Sequence, residues 1–200
     1  MNSPRRRADA TENRGRIIDA AQALVVSSDD LRLNEVAKRA GVGQGTLYRH
    51  FPSKEALFEG LVAAMCEYMR EGLENTPLAA DSKPLARTLA NEMRAFTSAL
   101  IDPDALALYR LIVAEGWRFP ALAHAFEQSG MRVIRERIAN VLEAGGVPAK
   151  SLRPVASEVV ALALGDAYQR AVLGIAEEDD AEAFERQIKS AVTHAFNRRT

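Results

Sequence analysis

Gln44, Thr46, Tyr48, Arg49 and His50 fall within seven consecutive positions, and Lys54 follows four residues later. Amide, hydroxyl, guanidinium and imidazole groups crowded in this way suit hydrogen bonding to an extended polar partner such as nucleic acid. Nothing beside them supports bond-making chemistry: the chain has no Gly-rich phosphate loop, no nucleophile elbow and no His-Glu-x-x-His pattern. His124 and His194 are isolated, without a His or carboxylate at ligand spacing, so no metal and no cofactor are assigned. The one cysteine, Cys66, excludes an internal disulfide and a cysteine-based zinc site, and reads as a small apolar group on a helix. The protein is not expected to be an enzyme.

A short helix laid in the major groove offers its N-terminal residues to base edges while neighbouring side chains hold phosphates. Gln44 comes first, and a glutamine bonds adenine through N6 and N7; Arg49 can do the same for guanine if it faces the groove. Thr46, Tyr48, His50 and Lys54 suit phosphate oxygens, to which hydroxyl, imidazole and ammonium groups donate without reading sequence. Gly45 lets the backbone come close to the DNA.

These groups need a rigid support. Leu33 to Ala40 reads as one short helix, Gly41 as a turn residue and Gln44 to Phe51 as the next helix, stopped by Pro52. A preceding helix over Glu12 to Val26 carries Ile17, Ala21, Leu24 and Val25 as one apolar stripe. Val36, Ala40, Val42, Leu47 and Phe51 can bury against Ile17 and Leu24, with small Ala37 where two helices approach. That is the specification of a helix-turn-helix. On spacing alone, a helical hairpin with a merely solvated polar face fits too.

The run Gly41-Val42-Gly43-Gln44-Gly45-Thr46-Leu47-Tyr48-Arg49-His50-Phe51-Pro52-Ser53-Lys54-Glu55-Ala56-Leu57-Phe58 closely resembles the DNA-binding signature of the TetR family of bacterial transcriptional regulators. Glu35 to Ala40 fits the family's second helix and Ile17 to Ala21 its first, so the resemblance covers about residues 12 to 60. It implies DNA contact by the third helix and by Lys54. One place departs: family members often carry Thr or Ser at the start of the second helix, where this chain has Leu31-Arg32. Either Asp30 supplies the cap or the cap is lost, and Arg32 could reach a phosphate by charge.

Ser53 is placed to cap a fourth helix that carries Leu57, Leu61, Met65 and Met69 and is closed by Pro77. Further helices are expected over Lys83 to Ile101, Asp104 to Trp117, Pro120 to Ala144, Leu152 to Ile175 and Asp180 to Asn197. The expected fold is therefore all-α: a basic disordered arm over 1–10, a helix-turn-helix DNA-binding domain over 11–56, and a helical ligand-binding and dimerisation domain over 57–200. Residues 110–126 resemble a block found in one subgroup of TetR-type sensor domains. In that family the last two helices form a four-helix dimer interface and the middle helices surround a small-molecule pocket.

Here Ala156, Val159, Val160, Ala163, Ala167 and Ala171 line one helix, and Phe184, Ile188, Ala191, Val192, Ala195 and Phe196 line the last. A monomer's core would show such a pair too, so the residues favour an interface only slightly; the family resemblance and the two-fold geometry of DNA binding tip the expectation to a homodimer through the last two helices. Met65, Met69, Phe96, Leu100, Tyr109, Ile112, Trp117 and Phe126 are pocket candidates, since flexible and aromatic groups suit an apolar ligand; plain core packing explains each of them as well. Asp166 and Arg170, spaced i, i+4, read either as a polar group in the pocket or as a helix ion pair.

Composition bounds the rest. Hydrophobic residues make up 48% and charged residues 26% of the 200, the balance of a globular protein. The net charge of −1 is unevenly spread: arginines and lysines outnumber acids up to Lys54, so the remainder is net negative. No apolar run is long enough to span a bilayer, and the Arg-rich start lacks a secretion signal's apolar stretch, so a cytoplasmic protein is expected. The expectation is a homodimeric repressor that binds palindromic double-stranded DNA and answers to an unknown small-molecule effector. A helical interaction module that no longer binds DNA is the alternative.

Overall fold

The helices follow from local signals. In the computed structural model, which describes residues 4–27, 31–74, 85–177 and 179–197, α1 spans Pro4–Val26, α2 Leu33–Ala40, α3 Gln44–His50 and α4 Lys54–Glu74. They are followed by α5 (Leu85–Leu100), α6 (Pro103–Glu115), α7 (Pro120–Phe126), α8 (Arg132–Ala144), α9 (Leu152–Leu173) and α10 (Asp180–Asn197). No strand occurs among the described residues. Asp30, the suggested cap of α2, and Pro77 and Lys83 lie outside them.

Two expectations of helix extent are corrected. From Pro4 onward the supposed disordered arm is the beginning of α1: proline is tolerated in a first turn, and Arg and Ala propagate a helix well. The single helix expected over Pro120 to Ala144 is interrupted by a π-helical turn at Glu127–Met131, where Ser129 and Gly130 hold α-helical hydrogen bonds poorly.

The chain gathers into two compact units, residues 1–66 with 107–126, and residues 67–106 with 127–200. The division expected at 56/57 thus falls inside α4. Its physical reason is that Leu57, Phe58, Leu61 and Val62 are fully buried, and Phe58 meets Phe119 edge-on at 5.6 Å within the first unit. Burial of these side chains binds the start of α4 and the turn before α7 to the helices that precede them.

In the second unit α5, α8, α9 and α10 pack together. The apolar stripe of α9 from Ala156 to Ala171 is buried within this unit, as are Phe184, Ile188, Ala191 and Ala195 of α10. The stripe is core, not a free surface for a second copy. Across the middle of this unit, Arg137 of α8 grips Glu92 of α5 at 2.5 and 3.1 Å, with side chains only 16% and 3% exposed.

Helix α9 breaks at Gly165, whose backbone (φ 46°, ψ −149°) is open to glycine alone. The break strands backbone groups, and the Gln187 amide of α10 takes them up. Its nitrogen donates to the Leu164 carbonyl (2.9 Å), and its oxygen accepts from the N–H groups of Asp166 (3.2 Å) and Ala167 (3.3 Å). Gln187→Met should therefore lower stability by upward of about 1 kcal/mol, the cost of leaving such groups unpaired. Urea unfolding at an unchanged m-value checks this, and a midpoint equal to that of the parent would refute the plug.

Candidate nucleic-acid interface

A helix ends with unpaired carbonyls, and the turn after α2 shows how they are met. Gly41 takes the left-handed conformation (φ 63°, ψ 35°), its N–H donates to the Lys38 carbonyl (3.1 Å) and that of Val42 to the Ala37 carbonyl (3.0 Å), a Schellman turn. The carbonyls of Ala40 and Gly41 go to α1: Arg16 Nη2 donates to Ala40 O at 2.6 Å and to Gly41 O at 3.0 Å. Gly43, in an extended conformation, then opens α3, and its carbonyl accepts from the N–H groups of Thr46 and Leu47.

Leu47 and Phe51, one turn apart, are 1% and 3% exposed and anchor α3 to the core. With 3.6 residues per turn, their burial sends Gln44, Gly45, Tyr48 and Arg49 outward, and all four are exposed, Tyr48 by 49%. Thr46 and His50 sit half-buried on the flanks. Gly45 has open space where a side chain would start. Helix α3 is about 10 Å long, and an α-helix, about 10–12 Å across with its side chains, fits a major groove about 12 Å wide.

Ser53 caps α4, its hydroxyl accepting from the Ala56 N–H at 3.2 Å. The same hydroxyl holds the Glu55 carboxyl below the usual range. Lys54, half-buried at the head of α4, has its ammonium 5.1 Å from the Phe58 ring centre. Arg14 of α1 lies 5.5 Å over the Phe51 ring. Arg32, exposed and extended, is the N-cap residue of α2 and makes no side-chain cap bond, so this helix start has no Ser/Thr-type cap.

The proposed pocket residues fall in both units. Met65, Tyr109, Ile112, Trp117 and Phe126 lie in the first unit, and Met69, Phe96, Leu100, Asp166 and Arg170 in the second. Tyr109 and Phe126 are brought together at 5.8 Å. Met65, Ile112, Phe96 and Leu100 are buried, and Met69 is half-buried. Trp117 is 78% exposed, with its indole N–H donating to the Ala114 carbonyl. Arg170 bonds Asp166 at 2.9 Å and also Asp180 at the start of α10, an ion-pair role that holds the Asp180 carboxyl below its ordinary value. Asp166 and Arg170 border a concavity of about 320 Å³, with Arg186, Gln187 and Ser190. Arg16 and Arg14 carry no sequence signal for their contacts, because their partners lie far along the chain.

Residues 17–61 match the profile of bacterial regulatory proteins of the tetR family, and residues 87–198 that of the AefR-like transcriptional repressor C-terminal domain. The nucleoid occlusion factor SlmA of Marinomonas sp. (strain MWYL1) is 32% identical over 169 residues, 77% of this chain and 80% of that one. Against HTH-type transcriptional regulators of Staphylococcus aureus the match is shorter, spanning 37% of one regulator's length and 29% of another's. Among solved structures, the flavonoid-responsive regulator FrrA superposes with a TM-score of 0.73 at 31% identity, over 92% of this chain and 95% of that one. A Mesorhizobium loti MAFF303099 structure assigned to the TetR family gives a TM-score of 0.80 at 24% identity, over 94% and 96%, and supports the fold.

Proposed function

The chain belongs to the tetR family of bacterial regulatory proteins, and from that membership we propose a DNA-binding transcriptional repressor. It works as a homodimer on a palindromic operator in the cytoplasm, under the control of a small-molecule effector. The observation that carries the reading is the outer face of α3, where Gln44, Gly45, Tyr48 and Arg49 stand exposed over the buried Leu47 and Phe51. A helix-turn-helix that served only as an interaction module would have no use for this set of donors. Gln44 reads a base edge; Tyr48, Thr46, His50 and Lys54 hold phosphates.

One short helix covers only a few base pairs, so specificity calls for two copies on two half-sites. Because the α9 stripe is already core, the dimer uses the outward side of the last two helices, where Ala161, Leu162 and Leu173 are exposed. An effector that prefers the dimer state with ill-spaced recognition helices weakens DNA binding by the same coupling energy that DNA imposes on the effector. The response named for FrrA makes flavonoids the first ligand class to screen.

The test is a titration of duplex DNA at several salt concentrations. Binding should weaken linearly on a log–log scale, and Lys54→Ala should weaken binding to all sequences and reduce the slope by about one per subunit. Salt-independent binding, or none to any duplex, would leave the interaction-module reading in its place.

A further inference from the structure

We propose that Arg16 is a positioning residue for sequence reading: from α1 it fixes the turn through which α3 presents Gln44 and Arg49. The inference rests on the DNA-binding reading above. Its guanidinium spans 24 residues of sequence to reach the Ala40 carbonyl at 2.6 Å and 25 to reach that of Gly41 at 3.0 Å. The Schellman turn leaves these two carbonyls over, because its own bonds end on Ala37 and Lys38. A cation there also lies at the negative end of α2.

The fit is close: a Cβ on Gly41 would stand 2.7 Å from Arg16 Nη2. Glycine at this position thus serves the left-handed turn and the approach of the guanidinium together. The foundation is rigid, since the adjoining Ile17 and the next-turn Ala21 are fully buried. Two residues earlier on the same helix, Arg14 lies over Phe51, which ends α3. Helix α1 therefore holds the recognition helix near both of its ends.

Base reading and phosphate holding respond differently to such a constraint. Base edges must be met within a fraction of an ångström and ~10–20°, whereas phosphate attraction tolerates a tilted helix. Loss of Arg16 should loosen the orientation of α3 and cost selectivity, leaving the count of phosphate contacts alone.

The full-length protein and its Arg16→Met and Arg16→Gln variants test this. Two probes are used: a duplex enriched from a random-sequence library by the parent protein, and a scrambled duplex of the same composition. Both variants should lose about tenfold or more on the enriched duplex, the equivalent of one bidentate base contact. Affinity for the scrambled duplex and the salt slope on both should stay at parent values, measured well below the melting temperature of each variant. If Met at this position prevents folding, Arg16→Gln keeps a shorter donor and carries the comparison. A slope reduced by about one per subunit, with equal losses on both duplexes, would make Arg16 a phosphate contact and overturn the inference. Parent-like binding of the enriched duplex by both variants would overturn it too. Failure of the parent to enrich any sequence defeats the DNA reading itself, a result visible before any variant is made.

Discussion

Glu92→Ala is expected to destabilise the second unit by about 3–5 kcal/mol, the usual cost of removing one member of a buried ion pair. Glu92 is 3% exposed and accepts two bonds from Arg137, which is itself largely buried. Alanine would leave that guanidinium without its carboxylate in a site closed off from water. It would also open a cavity beside Leu89, Met93 and Phe96, all on the buried side of α5. The contrast lies in the double change: Glu92→Leu with Arg137→Met removes both charges, and should recover most of the loss because no buried charge remains to be compensated. Urea unfolding of the three proteins decides it. A single variant within about 1 kcal/mol of the parent would mean that water reaches Arg137 more easily than its burial implies.

The same pair shows what sequence patterning carries and what it does not. Leu89, Met93 and Phe96 recur at helical spacing and are buried, but such spacing gives no sign that Glu92 belongs with them, because its partner lies 45 residues away. Local signals performed better. Gly41 and Pro52 terminate helices through their own backbone preferences and Ser53 caps one through its hydroxyl, and α2, α3 and the start of α4 lie where those residues put them. The outward set on α3 is legible for the same reason, since burying Leu47 and Phe51 settles the opposite face.

Periodicity is silent on what a buried stripe packs against. The stripe from Ala156 to Ala171 is compatible with a partner subunit or with the chain's own helices, and α5, α8 and α10 in fact cover it. Gly165 lies within the same helix, off that stripe, as an ordinary weak helix residue, and its positive-φ break becomes tenable only because Gln187 arrives from α10. Arg16 is the functional counterpart. It neighbours a hydrophobic stripe, carries a charge common to any exposed helix face, and shows its role only when α2 is folded against α1.

Gln44→Ala should cost about 1–3 kcal/mol in discrimination at one base pair of each half-site, roughly 5- to 150-fold, with little change in affinity for unrelated DNA. Gln44 is the first residue of α3 and is exposed. Its amide therefore sits where the N-terminal turn of a recognition helix meets base edges, and its donor–acceptor pair matches adenine N7 and N6. Alanine is the better helix former by a few tenths of a kcal/mol, so a loss of binding could not be charged to unfolding of α3. It also removes no charge, so the salt slope should stay at the parent value, in contrast with Lys54→Ala. Enrichment from a random library by parent and variant gives the readout: one position per half-site should relax toward equal base use while the others keep theirs. If every position keeps its preference, Gln44 does not read a base, and Arg49, exposed on the same outward face, becomes the residue to substitute next.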